Sequence, residues 1–283
     1  MVKRKIIQIV AALLMNSNFK GFAKGKIYQG GLKKICVPVL NCYSCPGAFG
    51  ACPIGSLQAL SNNPRTLVSF YIYGFLIIVG ALFGRAVCGF LCPFGLIQEL
   101  LNKIPLKNWR GKRCFQYLKK LKYVVLGIVI IVPTVLTLIG NVSFPAFCKF
   151  ICPAGTLEAG LPISLMNARI RESLGLLFVW KLSLLAVIVF LAIKIYRPFC
   201  RFLCPLGAVY ALLNRVSVLH IKTNKIKCSN CDICTDICEM EAKTHDDAEC
   251  IRCGKCIRHC PQKALSWSLC RTQERIGINR IDK

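Results

Sequence analysis

The stretch TLVSFYIYGFLIIVGALFGRAVCGFLCPFG, residues 66–95, joins an apolar run to a cysteine motif. The run 66–84 is 19 residues long and contains no charged side chain. At about 1.5 Å per residue, a helix of this length crosses the roughly 30 Å hydrocarbon layer of a bilayer. The motif that follows is Cys88-x3-Cys92-Pro-x-Gly. The stretch therefore predicts a transmembrane helix that ends at a pair of cysteines.

The same unit occurs three times in full along the chain. Apolar runs at 66–84, 123–147 and 173–196 precede or lead into Cys-x3-Cys-Pro-x-Gly, with the pairs Cys88 and Cys92, Cys148 and Cys152, and Cys200 and Cys204. A partial copy, Cys52-Pro-x-Gly, follows a shorter apolar run at 6–22. Repetition at this scale indicates an architecture of repeated helical units, so we predict four transmembrane helices. The alternative for the first run is a signal peptide, because three basic residues precede it.

Cysteines four residues apart lie on one face of a helix, so each pair forms half of a four-thiolate site. Since successive spans alternate sides, the pairs after the first and third full runs are expected to meet at a membrane 4Fe-4S site, with ligands Cys88, Cys92, Cys200 and Cys204. The remaining pair is expected to meet the segment 36–52 on the other side. There the repeat favours Cys52 and a following proline favours Cys45, so this predicted outer-side 4Fe-4S site has the ligands Cys148, Cys152, Cys45 and Cys52.

Other roles stay open for several cysteines. Cys36 and Cys42 could ligate the outer site instead, or form a disulfide if that face is oxidising. The alternative for the membrane pairs is that they are small buried thiols at helix ends. Cys114 and Cys270 stand alone, and we interpret both as buried thiols without a ligand role.

Eight cysteines near the C-terminus form two runs with the spacing of bacterial cubane-binding sequences. The runs are Cys228-x2-Cys231-x2-Cys234-x3-Cys238 and Cys250-x2-Cys253-x2-Cys256-x3-Cys260-Pro. In such runs three thiolates hold one cluster and the fourth reaches the neighbouring one. We therefore expect two 4Fe-4S clusters, with the ligand sets Cys228, Cys231, Cys234 and Cys260, and Cys250, Cys253, Cys256 and Cys238. Zinc sites would not require this crossed spacing.

The net charge of +26, from 38 Lys plus Arg against 12 Asp plus Glu, indicates the orientation of the chain. The stretches 1–5, 85–122 and 197–227 hold 18 Lys and Arg, whereas 20–65 and 149–171 hold 9. By the positive-inside rule, both termini and the C-terminal domain are cytoplasmic. Because the basic residues flank apolar runs, the charge indicates a membrane protein and argues against nucleic-acid binding.

These observations predict an all-α membrane helical bundle of four transmembrane helices at 1–221. A small α+β ferredoxin domain with two clusters follows at 222–270, and a basic tail at 271–283. The three histidines, His220, His245 and His259, all lie outside the apolar runs, so we expect no haem in the membrane. The sequence contains no glycine-rich nucleotide-binding motif.

The Cys-x3-Cys-Pro motifs and the C-terminal two-cluster ferredoxin resemble the membrane iron-sulfur proteins related to NapH and NosR. This resemblance implies a multi-pass protein of the cytoplasmic membrane, acting as an electron-transfer subunit of an oxidoreductase complex. It implies electron transfer between a cytoplasmic carrier or a quinone pool and a redox protein on the outer face. The chain lacks the large outer flavin-binding domain of NosR, so any flavin belongs to the partner. Its third full cysteine pair and the segment 36–52 favour additional membrane clusters.

Three functions compete at this point. The first is a conduit that relays electrons from the ferredoxin domain across the membrane to the outer partner. The second is a quinol dehydrogenase subunit that uses menaquinone, with Lys181 hydrogen-bonding a quinone oxygen. An intramembrane lysine is a functional candidate, although Lys181 could instead snorkel to the membrane surface. The third is a redox sensor or maturation factor, against which the lack of a recognisable output domain counts.

Overall fold

A computed structural model describes residues 2–60, 68–106, 109–111, 113–139, 145–172 and 174–269. The predicted basic tail at 271–283 and Cys270 lie outside these residues. In chain order the helices are α1 (Val2–Met15), α2 (Phe19–Lys24), α3 (Pro53–Leu60), α4 (Val68–Phe83), α5 (Ala86–Phe90), α6 (Pro93–Leu101), α7 (Arg113–Leu118), α8 (Leu121–Leu138), α9 (Ala146–Phe150), α10 (Pro153–Gly155), α11 (Leu161–Met166), α12 (Ala168–Glu172), α13 (Leu176–Lys194), α14 (Pro198–Phe202), α15 (Pro205–Leu213), α16 (Ile233–Asp236) and α17 (Lys255–His259). A 3₁₀ turn lies at Gly31–Lys34 and a π turn at Thr156–Gly160.

The four longest helices, α1, α4, α8 and α13, lie in or near the four predicted spans. Among the described residues, one helix, α13, is long and apolar enough to cross a membrane by length and composition. Helix α4 contains a shorter apolar segment, Phe70–Phe83. The prediction of four transmembrane helices is therefore not confirmed by helix length and stays a prediction.

Each full sequence repeat folds into the same three parts. A long helix (α4, α8 or α13) is followed by a short helix (α5, α9 or α14) and then by a helix that begins at the motif's proline (α6, α10 or α15). Proline favours the first position of a helix, and it holds the preceding residue in an extended conformation. Cys92, Cys152 and Cys204 all have this extended backbone. Helix α3 begins in the same way at Pro53, so the partial repeat retains the helix that begins at the motif's proline.

The C-terminal domain contains the one sheet in the described part of the chain. Strand β1 (His220–Thr223) pairs antiparallel with β2 (Leu265–Ser268), and His220 lies opposite Ser268. The cysteine runs and the short helices α16 and α17 lie between these strands in sequence. Strand β1 crosses the predicted domain boundary between residues 221 and 222.

The C-terminal domain packs directly against the helical part near α5 and α15. Asn214 Nδ2 donates hydrogen bonds to the carbonyl oxygens of Asp247 at 2.8 Å and Cys250 at 3.1 Å. A Cβ atom added to Gly89 would lie 2.5 Å from the carbonyl oxygen of Ile251, which is closer than two such atoms can approach. The helical part therefore needs glycine at position 89 to accommodate the C-terminal domain.

Candidate metal centres

Four buried cysteines from two repeats line one cavity, which we call the inner cavity. One pair directly precedes α6 and the other pair directly precedes α15, and apolar residues of the segment 36–52 complete the cavity. Its lining residues are Cys88, Cys92, Cys200, Cys204, Val39, Leu40, Leu206 and Gly207. The structure thus brings together the four cysteines that the alternation of the spans predicts.

The second cysteine of each full pair caps the helix that follows it. Cys92 Sγ accepts a hydrogen bond from the Gly95 amide at 3.4 Å, and Cys204 Sγ accepts one from the Gly207 amide at 3.3 Å. Amide groups at the start of a helix carry positive partial charge and stabilise a nearby anion. The Cys-Pro-x-Gly spacing therefore gives each of these sulfurs an amide donor, which opposes the effect of burial on a thiolate.

Two fully buried arginines connect the halves of the inner cavity crosswise. Arg85 Nη2 donates to the carbonyl oxygen of Cys200 at 3.1 Å, and Arg197 Nη1 donates to that of Cys88 at 2.6 Å. Each arginine precedes the first cysteine of its own motif by three residues. Burial raises the pKa of the Cys88 thiol, and the charges of Arg85 and Arg197 oppose that rise. Gln98 Nε2 also donates to Cys200 Sγ at 3.3 Å.

Arg85 shares a buried carboxylate of the C-terminal domain with a second cation. Its Nη1 donates to Glu249 Oε2 at 2.7 Å, and Lys122 Nζ contacts Glu249 Oε1. Burial alone would raise the pKa of the Glu249 carboxyl, but Arg85 and Lys122 lower that pKa to about 2. The carboxylate therefore carries its charge while it joins the two parts of the molecule.

Arg197 has an equivalent arrangement with Glu99 of α6. Arg197 Nε donates to Glu99 Oε1 at 2.9 Å, and Arg4 Nη2 of α1 donates to Oε2 at 2.6 Å. The Tyr196 hydroxyl donates to Oε1 at 2.6 Å. The pKa of Glu99 is lowered, since the effect of Arg197 and Arg4 exceeds the opposing effect of burial. This arrangement connects α1, α6 and the end of α13.

A second, larger cavity lies beside the third cysteine pair, and we call it the outer cavity. Its volume is about 620 Å³. Four cysteines line it, Cys42, Cys52, Cys148 and Cys152, together with Lys181 and apolar residues of α11 to α13. Cys152 Sγ accepts a hydrogen bond from the Gly155 amide at 3.4 Å, as in the other full repeats. This cavity therefore also offers four thiols and a helix start.

In the described structure, Cys42 lines the outer cavity where the sequence favours Cys45. Cys45 and Cys36 are both buried but do not line this cavity. Cys36 lies opposite Ala51 in an isolated bridge. The glycine of the motif distinguishes Cys52 from Cys45. Gly55 lies three residues after Cys52, whereas Ala48 occupies the same position after Cys45. Nothing comparable in the sequence marks Cys42, whose position follows from the path of the loop.

The inner and outer cavities are neighbours because the segment 36–52 contributes residues to both. Leu40 lines both the inner and the outer cavity. Tyr210 of α15 is fully buried, and its hydroxyl donates to the carbonyl oxygen of Pro38 at 2.8 Å. Leu40 therefore lies beside both sets of cysteines.

The outer cavity differs from the inner one in its charged groups. Among the described residues that line it, Lys181 is the one charged side chain, and its Nζ donates to the carbonyl oxygen of Cys148 at 3.3 Å. Glu158 lies next to the cavity and accepts a hydrogen bond from the Cys42 amide at 2.7 Å. Burial raises the pKa of the Glu158 carboxyl to about 7. The outer cavity thus has Lys181 in its lining, with the buried Lys33 near Cys42 and one weakly acidic carboxyl nearby.

The eight C-terminal cysteines line two further cavities in the crossed arrangement that their spacing predicts. The first is lined by Cys228, Cys231, Cys234 and Cys260 and has a volume of about 290 Å³. The second is lined by Cys238, Cys250, Cys253 and Cys256, with Cys234 at its edge. Burial is the main cause that raises the pKa of Cys250 to about 12.

The four cavities form a continuous series. The two C-terminal cavities share Cys234 and His245. Tyr196 lines the second of them and also donates to Glu99, which pairs with the arginine of the inner cavity. Leu40 lines both the inner and the outer cavity. Neighbouring cavities are therefore connected by shared lining residues or by side-chain hydrogen bonds between residues near them.

The donor chemistry of these sites fits 4Fe-4S clusters. Among the described residues, no three His, Cys, Asp or Glu side chains converge on one metal ion. A cubane cluster does not require ligands that converge on one ion, because its four thiolates bind four separate irons around a cage. Each cavity has at least four cysteines around it, and the inner cavity adds helix-start amides and buried arginines that favour an anionic group.

Comparison with known proteins identifies the family. The chain matches a model described as a 4Fe-4S binding domain at 66–113, 121–161 and 176–224, and a second model of the same description at 243–266. The uncharacterised protein MJ0750 of Methanocaldococcus jannaschii is 32% identical over 205 residues, which cover 68% of this chain and 76% of that protein. The ferredoxin-type protein NapH of Escherichia coli is 26% identical over 240 residues, covering 76% and 75%. The chain belongs to the NapH/NosR-type 4Fe-4S proteins.

The likeness to NosR is confined to part of that protein. The regulatory protein NosR of Stutzerimonas stutzeri is 29% identical over 202 residues, which cover 67% of this chain and 25% of NosR. No solved structure gives a significant match. The family predicted from the motifs is confirmed, as is a mostly helical fold with a ferredoxin-type domain at the C-terminus. The chain is thus a ferredoxin-type electron-transfer protein with 4Fe-4S domains.

Proposed function

We propose that this protein relays electrons across the cytoplasmic membrane, between a cytoplasmic carrier and a redox protein on the outer face. A bound 4Fe-4S cluster supplies one-electron transfer at each site. The chain's own cysteines hold four such clusters, two in the C-terminal domain and two in the membrane part. The outer-face partner carries any flavin that the reaction uses.

The observation that carries this proposal is the position of Leu40. If two cysteine sets lay at opposite surfaces of a bilayer, about 30 Å would separate them, and a single electron-transfer step would be too slow. Leu40 instead lines both the inner and the outer cavity, so the segment 36–52 that contains it contributes to both sites. Irregular backbone at membrane depth is tolerated where protein surrounds it. In our proposal the path is thereby divided into several electron-transfer steps.

Two features support placing the helical part in a membrane. The long helices expose large apolar side chains to their surroundings at 59–85% of their surface, among them Phe70, Ile78, Ile131, Leu176 and Val179. A water-soluble surface rarely contains so many contiguous groups of this kind. The C-terminal domain contacts the basic loop 85–122 through Glu249 and Glu241, which supports the assignment of both to the cytoplasmic side by the positive-inside rule.

Iron analysis of the anaerobically purified full chain, combined with EPR of its reduced form, tests the proposal. We expect about 16 irons per chain, at four per cluster, and four distinct cluster signals. About eight irons would leave only the C-terminal domain loaded and would contradict the conduit.

Paired substitutions assign the membrane signals. Cys92→Ser with Cys204→Ser is expected to remove one signal, and Cys52→Ser with Cys148→Ser is expected to remove another. The two C-terminal signals serve as the internal control for folding in both variants. Retention of all four signals in either double variant would contradict the assigned ligand sets.

The volume of the outer cavity favours a second candidate function, the oxidation or reduction of a quinone. This cavity measures about 620 Å³, whereas the three other cysteine-lined cavities, each of which holds one cluster in our proposal, measure about 10, 60 and 290 Å³. The additional space has apolar walls that include Ile163, Leu174 and Phe178, and Lys181 provides a hydrogen-bond donor. An apolar cavity with one polar anchor is suited to a quinone ring.

Menaquinol added to the oxidised, purified protein distinguishes the two functions. If the quinone site exists, menaquinol reduces the clusters, and Phe178→Trp slows that reduction while the iron content is unchanged. If menaquinol causes no reduction while a low-potential reductant reduces all the clusters, the conduit without quinone is favoured.

A further inference from the structure

The residues around the inner cavity carry an excess of positive charge. Glu99 and Glu249 each pair with two cations instead of one, so the two groups contain four cations and two carboxylates. The cations are Arg4, Arg85, Lys122 and Arg197, all of them at most 8% exposed. This leaves a net charge of about +2 in a buried region, which is costly unless an anion compensates it.

The compensating group is the cluster itself in our proposal. An oxidised cubane with four thiolates carries a charge of about −2, which equals the excess in magnitude. Arg85 and Arg197 contact the carbonyl groups of Cys200 and Cys88 directly. Arg4 Nη1 donates to the carbonyl oxygen of Gly89 at 3.3 Å, one residue beyond Cys88. The excess charge therefore lies against the backbone of the ligands.

The outer cavity has a smaller excess among the described residues: two cations lie near its cysteines, Lys181 and the buried Lys33, the latter close to Cys42. Lys181 is its one charged lining residue, and the carboxyl of Glu158 lies beside it. Reduction adds one negative charge to a cluster, so nearby positive charge favours the reduced form in proportion to its amount and proximity. The inner and outer sites consequently differ in the amount of nearby positive charge, which affects the relative reduction potentials of their clusters.

We propose that the second cation of each group, Arg4 and Lys122, raises the reduction potential of the inner cluster above that of the outer cluster. This inference rests on the proposed function. Of the two membrane sites, the inner one is then where a transferred electron is most stable, whichever direction the transfer takes. Arg4 and Lys122 are positioning residues in this account, because each acts through the charge of its group and neither contacts a cysteine sulfur in the described structure.

The two cations can be removed while each carboxylate keeps a partner. Arg4→Gln leaves Glu99 paired with Arg197, and Lys122→Gln leaves Glu249 paired with Arg85. Lys34→Gln, an exposed position on the 3₁₀ turn, is the matched control for loss of a positive charge. The cysteine double variants described above identify which EPR signal belongs to the inner and which to the outer cluster.

The test is an EPR-monitored redox titration of the full chain. At a fixed potential, the ratio of reduced to oxidised inner cluster is expected to fall in Arg4→Gln and in Lys122→Gln. We expect about a tenfold fall when both are combined, which corresponds to about 59 mV for a one-electron couple. The ratio for the outer cluster should stay constant in these variants, and Lys34→Gln should change neither ratio.

The direction in which the ratio of reduced to oxidised inner cluster changes distinguishes an effect of charge from a structural effect. Glu99→Gln should raise the inner ratio, whereas a merely structural role would shift all variants in the same direction. An intact inner signal with an unchanged ratio in the combined cation variant, or an outer cluster of equal or higher potential in the unmodified chain, would overturn the inference. Absence of an inner signal from the unmodified chain would instead contradict the proposed function. If Glu99→Gln does not fold, the redox ratios of Arg4→Gln and Lys122→Gln still test the inference.

Discussion

The inner and outer cavities are built from the same repeated motif but differ in how the surrounding chain supports them. The inner cavity combines two full cysteine pairs, and buried arginines and glutamates surround it and join it to the C-terminal domain. The outer cavity combines one full pair with two loop cysteines, and it is larger and less charged. The difference shows that the motif supplies the thiols and helix starts, while residues outside the motif determine the charge, volume and closure of each site.

The largest difference is expected from cysteine substitutions in the loop that completes the outer cavity. Cys42→Ser should remove the outer cluster, about four irons per chain, because this cysteine lines the cavity. Cys45→Ser, the matched control three residues away, should keep the full iron content. Iron analysis and EPR of the two purified variants check this prediction, and the reverse result would assign the ligand role to Cys45.

Substitution of a buried carboxylate is expected to reduce the stability of the protein more at the inner site than at the outer site. Glu249→Gln leaves Arg85 and Lys122 buried without their counterion, and loss of one partner from a buried ion pair costs about 3–5 kcal/mol. Glu158→Gln keeps an oxygen that can accept from the Cys42 amide, and no cation loses a partner in the described structure. Its cost is expected to stay below about 1 kcal/mol. Thermal unfolding of the purified variants in detergent measures both, and equal losses would contradict this account of the inner site.

The sequence predicts the parts of these sites that depend on local spacing. The helix starts at Pro93, Pro153 and Pro205 follow from the motif, and the crossed C-terminal sets follow from their x2-x2-x3 runs. The cysteines of the inner cavity follow from the repeat and the alternation of spans. In each case neighbouring residues or a regular repeat determine the geometry.

The rest depends on contacts between residues far apart in sequence. Glu249 lies 164 residues from Arg85 and 127 from Lys122, so their pairing appears only once the C-terminal domain has docked. The choice of Cys42 over Cys45 and the position of Leu40 depend on the path of an irregular loop. No periodic pattern marks such a path, and the proline after Cys45 does not reveal that Cys42 is the loop cysteine that lines the outer cavity.

A smaller effect should test how tightly the inner site is closed by the C-terminal domain. Gly89→Ala places a Cβ atom 2.5 Å from the Ile251 carbonyl oxygen and should destabilise the docked domain by about 1–3 kcal/mol. Gly74→Ala on α4 meets no atom within 4 Å and should be neutral or slightly stabilising. Hydrogen exchange of the segment 247–253 measures the docking. Equal exchange in both variants would show that the close packing at Gly89 does not hold the domain.

Electron transfer across sealed vesicles tests the central claim most directly. The full chain is reconstituted with its clusters, an impermeant low-potential reductant is supplied outside, and the reduction of an acceptor enclosed in the vesicles is followed. We predict that the intact protein reduces the enclosed acceptor, and that the Cys92→Ser and Cys204→Ser double variant does not while its C-terminal clusters still become reduced. Fully loaded protein that leaves the enclosed acceptor oxidised, with all four of its clusters reduced, would contradict the conduit.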